Sequence, residues 1–162
     1  TSRDLKMNSI KWKSCHVLYF ETKSRVIRRK LIGLIAEKES LINNIFYATS
    51  LKTTTQTKKE LLSVTIVDDK NLTHDLLIKR VKCELKKYCG IHYDKFIKHY
   101  HFPMALPNLV DLQYNMAPLE TCLAPNTFLA GDTQLNGSLN AAMISGETAA
   151  LGVIKSWSNA IQ

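Results

Sequence analysis

Thr127-Phe-Leu-Ala-Gly-Asp132, followed after a short polar loop by Gly137-Ser-Leu-Asn-Ala-Ala-Met-Ile-Ser-Gly-Glu-Thr-Ala-Ala150, is the stretch on which the reading of this chain turns. An apolar run ends at Gly-Asp, and a helix rich in Ala, Ser and Gly begins past a second glycine. Such a strand–turn–helix order aims backbone N–H groups and the positive end of a helix at whatever lies before it. The spacing predicts a short buried strand over 128–130 and a helix over 138–157. Within that helix Ala142, Gly146, Ala149 and Val153 form a stripe of small residues, the kind that lets a helix approach a sheet or a flat ligand closely.

The 162 residues suffice for an ordinary core, and 45% hydrophobic with 22% charged residues is a globular composition. The net charge of +8 is concentrated before residue 103. Beyond that point Lys155 stands alone against Asp111, Glu120, Asp132 and Glu147. The change falls at Pro103–Pro107 and implies two structural neighbourhoods, about 8–105 and 106–162. The densest basic cluster, Lys23 to Lys30, reads as a solvated connection, and Lys79, Arg80, Lys82, Lys86 and Lys87 as the wet face of a helix. No zinc-finger, helix-turn-helix or RNP pattern accompanies them, so nucleic acid is not an expected partner. No leader-like segment and no apolar run of the roughly 20 residues needed to cross a bilayer is present. Cys15, Cys83, Cys89 and Cys122 form no C-x-x-C pair and all read as reduced, Cys15, Cys83 and Cys122 in apolar or helical surroundings where buried free thiols are common, which points to a cytoplasmic location.

Runs over 12–20, 31–35, 43–50 and 61–67, rich in β-forming residues, predict successive strands of a largely antiparallel sheet, with a polar connection over 52–60. Thr73 as N-cap opens a helix to Tyr88 and Cys89, with Leu77, Val81, Leu85 and Tyr88 on one face, Leu76 and Ile78 flanking, and Gly90 closing it. Asp94–Phe102 predicts a further strand, stopped by Pro103 and Pro107, with Phe96, Lys98, Tyr100 and Phe102 on one face and Ile97, His99 and His101 on the other. Residues 108–126 read as irregular. The fold class is α+β.

Chemical motifs are few. His99-x-His101 supplies two imidazoles on one strand face but no third metal ligand at a diagnostic spacing, so no metal site is assigned. His16, His74 and His92 look isolated. There is no G-x-S-x-G, no G-x-x-x-x-G-K-[ST] and no G-x-G-x-x-G. Asp132 after an apolar run can accept from sugar or polyol hydroxyls, and the N–H groups of Ser138, Leu139 and Asn140 can donate to a carbonyl or phosphate.

With those residues in place, FLAGDTQLNGSLNAAMISGETAA resembles the C-terminal flavin-binding segment of the amine oxidase / phytoene desaturase superfamily of FAD-dependent oxidoreductases. That pattern is an apolar strand, Gly-Asp, a loop with Gly, then a helix carrying Ala, Ser-Gly and Ala-Ala. Residues 10–110 resemble, less distinctively, the substrate-domain half. The resemblance implies an antiparallel substrate-domain sheet with a packed helix, plus the last strand and helix of a Rossmann-like FAD domain. It implies that Asp132 accepts from the ribityl chain of FAD and that Gly131 lets the backbone pass close to the cofactor. Gly137 and Ser138 would bring the chain under the isoalloxazine ring, the Leu139 N–H would face the flavin C2 carbonyl, and Ala142 would leave room for the ring. The helix dipole would then stabilise the charge that builds at N1–C2=O on reduction.

The chain also departs from the pattern. Ser138 stands where the monoamine oxidases place an aromatic wall of the amine cage, against amine oxidation of that kind. Phe102 stands at the distance where those enzymes attach FAD through Cys, and Cys122 is poorly placed for it, so FAD would be non-covalent. The βαβ unit with G-x-G-x-x-G is absent. The reading is therefore the C-terminal part of an FAD-dependent oxidoreductase acting on a small, apolar substrate, with no catalytic base assigned. Its missing N-terminal half would be a partner on the same polypeptide. The 162 residues alone would be inactive, hold FAD poorly, and expose an apolar patch at Phe128, Leu129, Leu139 and Met143. A non-catalytic binding or scaffold module, in which the Gly-Asp and helix segment only packs, is the alternative.

Overall fold

The computed structural model describes residues 10–51 and 58–160. The ends of the expected neighbourhoods at 8–9 and 161–162, and most of the polar 52–60 connection, lie outside the described residues. The chain divides into two compact units. One is Ser14–Ala105, the sheet unit; the other joins Leu106–Gln162 to the chain before Ser14, the helix unit.

The sheet unit is built on five strands in the order β2-β3-β4-β1-β5. They are β1 (Lys11–Thr22), β2 (Gly33–Leu34), β3 (Ile42–Tyr47), β4 (Glu60–Ile66) and β5 (Tyr93–Asn108), of which β1 begins before the unit boundary at Ser14 and β5 runs past the one at Ala105. β1 and β4 pair antiparallel from His16↔Ile66 to Thr22↔Glu60, and β3 pairs antiparallel with both β4 and β2. Alternation sends Leu18, Phe20, Leu62, Val64 and Ile66 to one face, and that face is buried. Helix α1 (His74–Cys89) contributes Leu77, Ile78, Val81 and Leu85 to the same core. Burying such a row of aliphatic side chains stabilises by about 1.5–3 kcal/mol for each one fully buried. The expected α+β architecture, an antiparallel sheet with a packed helix, is what the chain adopts.

Several details differ from expectation. The 31–35 run contributes only the two residues of β2, and 48–50 is a 3-10 turn rather than strand. Leu76 points outward and Thr73 makes no side-chain cap; its carbonyl accepts from Leu77 N–H instead. Gly90 does close α1, at φ 63°, as Ile91 N–H reaches back to Leu85 O. Pro103 and Pro107 do not stop β5, which has 16 residues. The strand lies at the sheet edge, where a missing N–H leaves the ladder intact. Its faces also differ. Phe96 packs on Phe20 in the core, while Tyr100 sits edge-on to Tyr19, so Phe96 and Tyr100 do not share a face. A break in alternation between Phe96 and His99 follows, and sequence periodicity has no means of registering it.

The helix unit holds a small hairpin of β6 (Cys122–Ala124) and β7 (Thr127–Phe128), turned at Asn126 with φ 60°, and the long helix α2 (Leu139–Ala160). The predicted buried strand over 128–130 is thus a two-residue strand, with Phe128 and Leu129 half-buried and Ala130 exposed. Part of the supposedly irregular 108–126 stretch pairs with it.

Candidate functional site

The site read from the sequence lies within the helix unit, where α2 meets the Gly131–Ser138 loop. Gly131 has φ 142° and ψ 169°, a conformation open to glycine and costly for residues with a Cβ. Asp132–Gln134 follow as a 3-10 turn. The carbonyl of Asp132 accepts from Gly137 N–H at 3.0 Å, which folds the loop back on itself. Gly137 has φ 61°, and a Cβ built there would meet Pro107 Cγ at 3.2 Å. Ser138 then caps α2: its Oγ accepts from Ala141 N–H at 3.1 Å and its carbonyl from Ala142 N–H at 3.0 Å. The three expected donors, Ser138, Leu139 and Asn140, all lie at the exposed start of α2, and the next N–H, that of Ala141, is taken by the cap.

Six residues, Gly131, Asp132, Gly137, Ser138, Leu139 and Ala142, therefore border one continuous loop and helix start. Asp132 is half-buried, and its carboxylate makes no hydrogen bond or ion pair with the described residues, leaving its acceptor capacity available. Ser145, fully buried on α2, fixes the loop to the helix. Its Oγ accepts from Gly131 N–H at 2.9 Å and can donate to Gly131 O at 2.9 Å or Ala142 O at 3.0 Å.

The small-residue stripe is real but turned by about one position. The buried face of α2 is Ala141, Ser145, Thr148, Ala149 and Gly152. A Cβ on Gly152 would lie 2.7 Å from Pro118 O, 2.9 Å from Thr121 Oγ1 and 3.1 Å from Phe128 Cδ1, so close approach is required there. Nothing lies within 4 Å of the corresponding position on Gly146. The predicted apolar patch is exposed at Leu139 (77%) and Met143 (66%), whereas Phe128 and Leu129 are partly covered. A hollow of about 750 Å³ in this unit is lined by Leu112–Ala117 and Glu120 and includes none of the six residues.

The sheet unit contains a grouping that sequence spacing did not suggest. His16, His74, His99 and His101, read as separate or as a pair, come together: His99 and His101 on His16, His74 on His99, and Asp69 on His16. His16 Nδ1 lies 2.8 Å from His99 Nε2, and His16 Nε2 lies 3.2 Å from Asp69 Oδ2. The residues are 83 and 53 positions apart, and their only local signal is His16 at an inward position of an otherwise apolar alternation. Among the described residues no group of three or more His, Cys, Asp or Glu is arranged to hold a metal ion. All four cysteines are free thiols. Cys83 is exposed, against the expectation of burial, and burial pushes the Cys15 and Cys89 thiols up. Among the described residues no helix is long and apolar enough to cross a membrane.

No family model matches the chain, and no curated protein matches it in sequence. Solved structures do match in fold. A protein provisionally titled a protoporphyrinogen oxidase, from Exiguobacterium sp. 255-15, superposes with a TM-score of 0.59 at 11% identity over 95% of this chain and 37% of its own. An oxidoreductase from Methanosarcina mazei gives a TM-score of 0.57 at 16% identity over 97% of this chain and 37% of its own. The PF1083 protein from Pyrococcus furiosus gives 0.54 at 11% over 97% and 34%. The chain thus has the fold of a part of these proteins, two of which are described as oxidoreductases, and spans little more than a third of their length.

Proposed function

We propose that this chain is the C-terminal part of an FAD-dependent oxidoreductase that moves a hydride from a small apolar substrate to flavin. Gly131, Asp132, Gly137, Ser138, Leu139 and Ala142 are its share of a non-covalent cofactor site. The observation that carries the reading is the carboxylate of half-buried Asp132, without a partner among the described residues and close in sequence to the capped start of α2. An acceptor of this kind suits the hydroxyls of a polyol chain, and the exposed first-turn N–H of Leu139 suits a carbonyl. The bound flavin would supply the redox chemistry. The residues of this chain would fix its orientation and place the positive end of α2 where negative charge develops.

Two further observations support the reading. The fold is shared with portions of longer oxidoreductases. The outer side of α2 also leaves Leu139, Met143, Leu151, Ile154 and Trp157 in solvent, a row of apolar side chains that a larger domain would cover. The pyrophosphate of FAD has no cradle among these residues, so binding needs the rest of the polypeptide.

The test is expression of the complete reading frame followed by absorbance spectroscopy and flavin quantification. Stoichiometric FAD, lost or weakened in Asp132→Ala, is the expected result. A complete protein that folds without flavin would support the scaffold reading instead.

A further inference from the structure

The histidine grouping belongs to the sheet unit, whereas the residues assigned to the cofactor belong to the helix unit. It joins four separate segments of that unit. His16 is on β1 and only 6% exposed; His99 and His101 are on edge strand β5; Asp69 lies in the turn after β4; His74 is the first residue of α1. His101 stacks on His16 with ring centroids 4.2 Å apart and planes 7° from parallel. His74 lies 4.9 Å from His99 and hydrogen-bonds Asp75 Oδ1 at 3.2 Å.

The hydrogen bonding limits the number of protons the grouping can hold. Asp69 can only accept, so His16 Nε2 carries a hydrogen toward it. The 2.8 Å contact between His16 Nδ1 and His99 Nε2 then has room for one hydrogen. With both rings neutral, His99 donates and His16 accepts. A single added proton, on either ring, leaves that bond whole. A second makes both rings imidazolium and sets two N–H groups head to head, while His101 presses on one ring and His74 on the other. Asp69 is the carboxylate facing His16, and Asp75 faces His74 from the exposed side.

We propose that His16, His99 and Asp69, with His101 and His74 packed on them, form an acid-operated latch that pins edge strand β5 to β1. When both rings of the pair are charged the latch opens and β5 loosens from the sheet. Burial, then the neighbouring His101, holds the His16 imidazole below the ordinary value of 6.5 despite the opposing pull of Asp69; burial, then His16, does the same to His99. The sign follows. The unfolded or detached state takes up protons first, so the latch is fully closed above pH 6.5 and is lost as pH falls from 6.5 through the lowered values.

The test uses the whole 162-residue chain between pH 8 and pH 5. NMR titration of the histidine ring protons is combined with hydrogen exchange of β5 amides, each normalised to the β3–β4 ladder to remove the intrinsic pH dependence. The His16 and His99 signals are expected to titrate below 6.5. Relative protection of β5 is expected to fall over the same range, about tenfold for each unit by which a ring is held down. In His99→Gln the amide still donates to His16 but does not titrate, so the fall should shrink to the part that His16 alone contributes. Ring signals at 6.5, β5 protection independent of pH, or an undiminished fall in His99→Gln each overturns the proposal. If that variant does not fold, the two wild-type measurements decide it.

Discussion

The hydroxyl of Ser145 sits 2.9 Å from both the nitrogen and the carbonyl oxygen of Gly131, fourteen residues earlier, and so fastens the Gly-Asp turn to the second turn of α2. Ser145 is fully buried, and it supplies what the glycine backbone at φ 142° would otherwise lack. Replacing it with Ala removes the acceptor and leaves the Gly131 N–H without its partner. Ser145→Ala is expected to destabilise the helix unit by about 1–3 kcal/mol. Denaturant unfolding followed by Trp157 fluorescence measures it, and an unchanged midpoint would show that the turn is held by other means.

Gly152 and Gly146 make opposite predictions although both lie in the small-residue helix. Gly152→Ala drives a methyl group against Pro118 O at 2.7 Å, where backbone has to move. It should cost about 1–3 kcal/mol. Gly146→Ala meets open space and should stabilise by up to about 1 kcal/mol through helix propensity. Thermal melts of the two variants side by side check the pair, and equal effects would contradict the packing described.

Glu84 is buried on α1, and its Oε2 accepts from Leu41 N–H at 2.8 Å, Ser40 Oγ at 2.9 Å and Ile42 N–H at 3.3 Å. Arg80 Nε approaches Oε1 at 3.0 Å and its guanidinium also reaches Glu39 O. Glu84→Ala strands the buried Leu41 N–H and should cost about 3 kcal/mol. Arg80→Ala, at a partly exposed position, should cost less than about 1 kcal/mol. Urea unfolding of both variants tests the ordering.

Cofactor retention should separate the 162 residues from the complete protein. On the proposed function the isolated chain is expected to purify colourless, without stoichiometric flavin, since its described residues offer no pyrophosphate cradle. In the complete protein Asp132→Ala should weaken FAD about tenfold or more, the equivalent of one charge-assisted hydrogen bond. Flavin fluorescence titration reads both, and a yellow fragment would refute the first expectation.

Alternation and helical spacing made the sheet and α1 readable because each buried position there repeats at a fixed period along one segment. Leu77, Val81 and Leu85 are core residues in the structure as in the pattern, and the runs over 12–20 and 61–67, read as strands, carry the core residues Leu18, Phe20, Leu62, Val64 and Ile66. The glycines at 131 and 137 announced backbone turns because few other residues tolerate those angles. The stripe on α2 was misplaced by one residue because Gly146 and Gly152 look alike in sequence, and only the neighbours Pro118, Thr121 and Phe128 distinguish them.

The sequence by itself determined the α+β class, the principal strands of the sheet, the extent and buried face of α1, and the glycine-marked turn ahead of α2. These depend on local backbone preference and on short periods of hydrophobicity. Only the tertiary structure decided that β5 continues through two prolines at a sheet edge, that Ser145 holds Gly131, and that Glu84 serves the chain around Leu41. It alone gathered His74, His99 and His101 with His16, and set Asp69 against His16. The physical reason is that such polar contacts are set by which segments become neighbours in space, and residues 53 or 83 positions apart carry no periodic signal of that meeting.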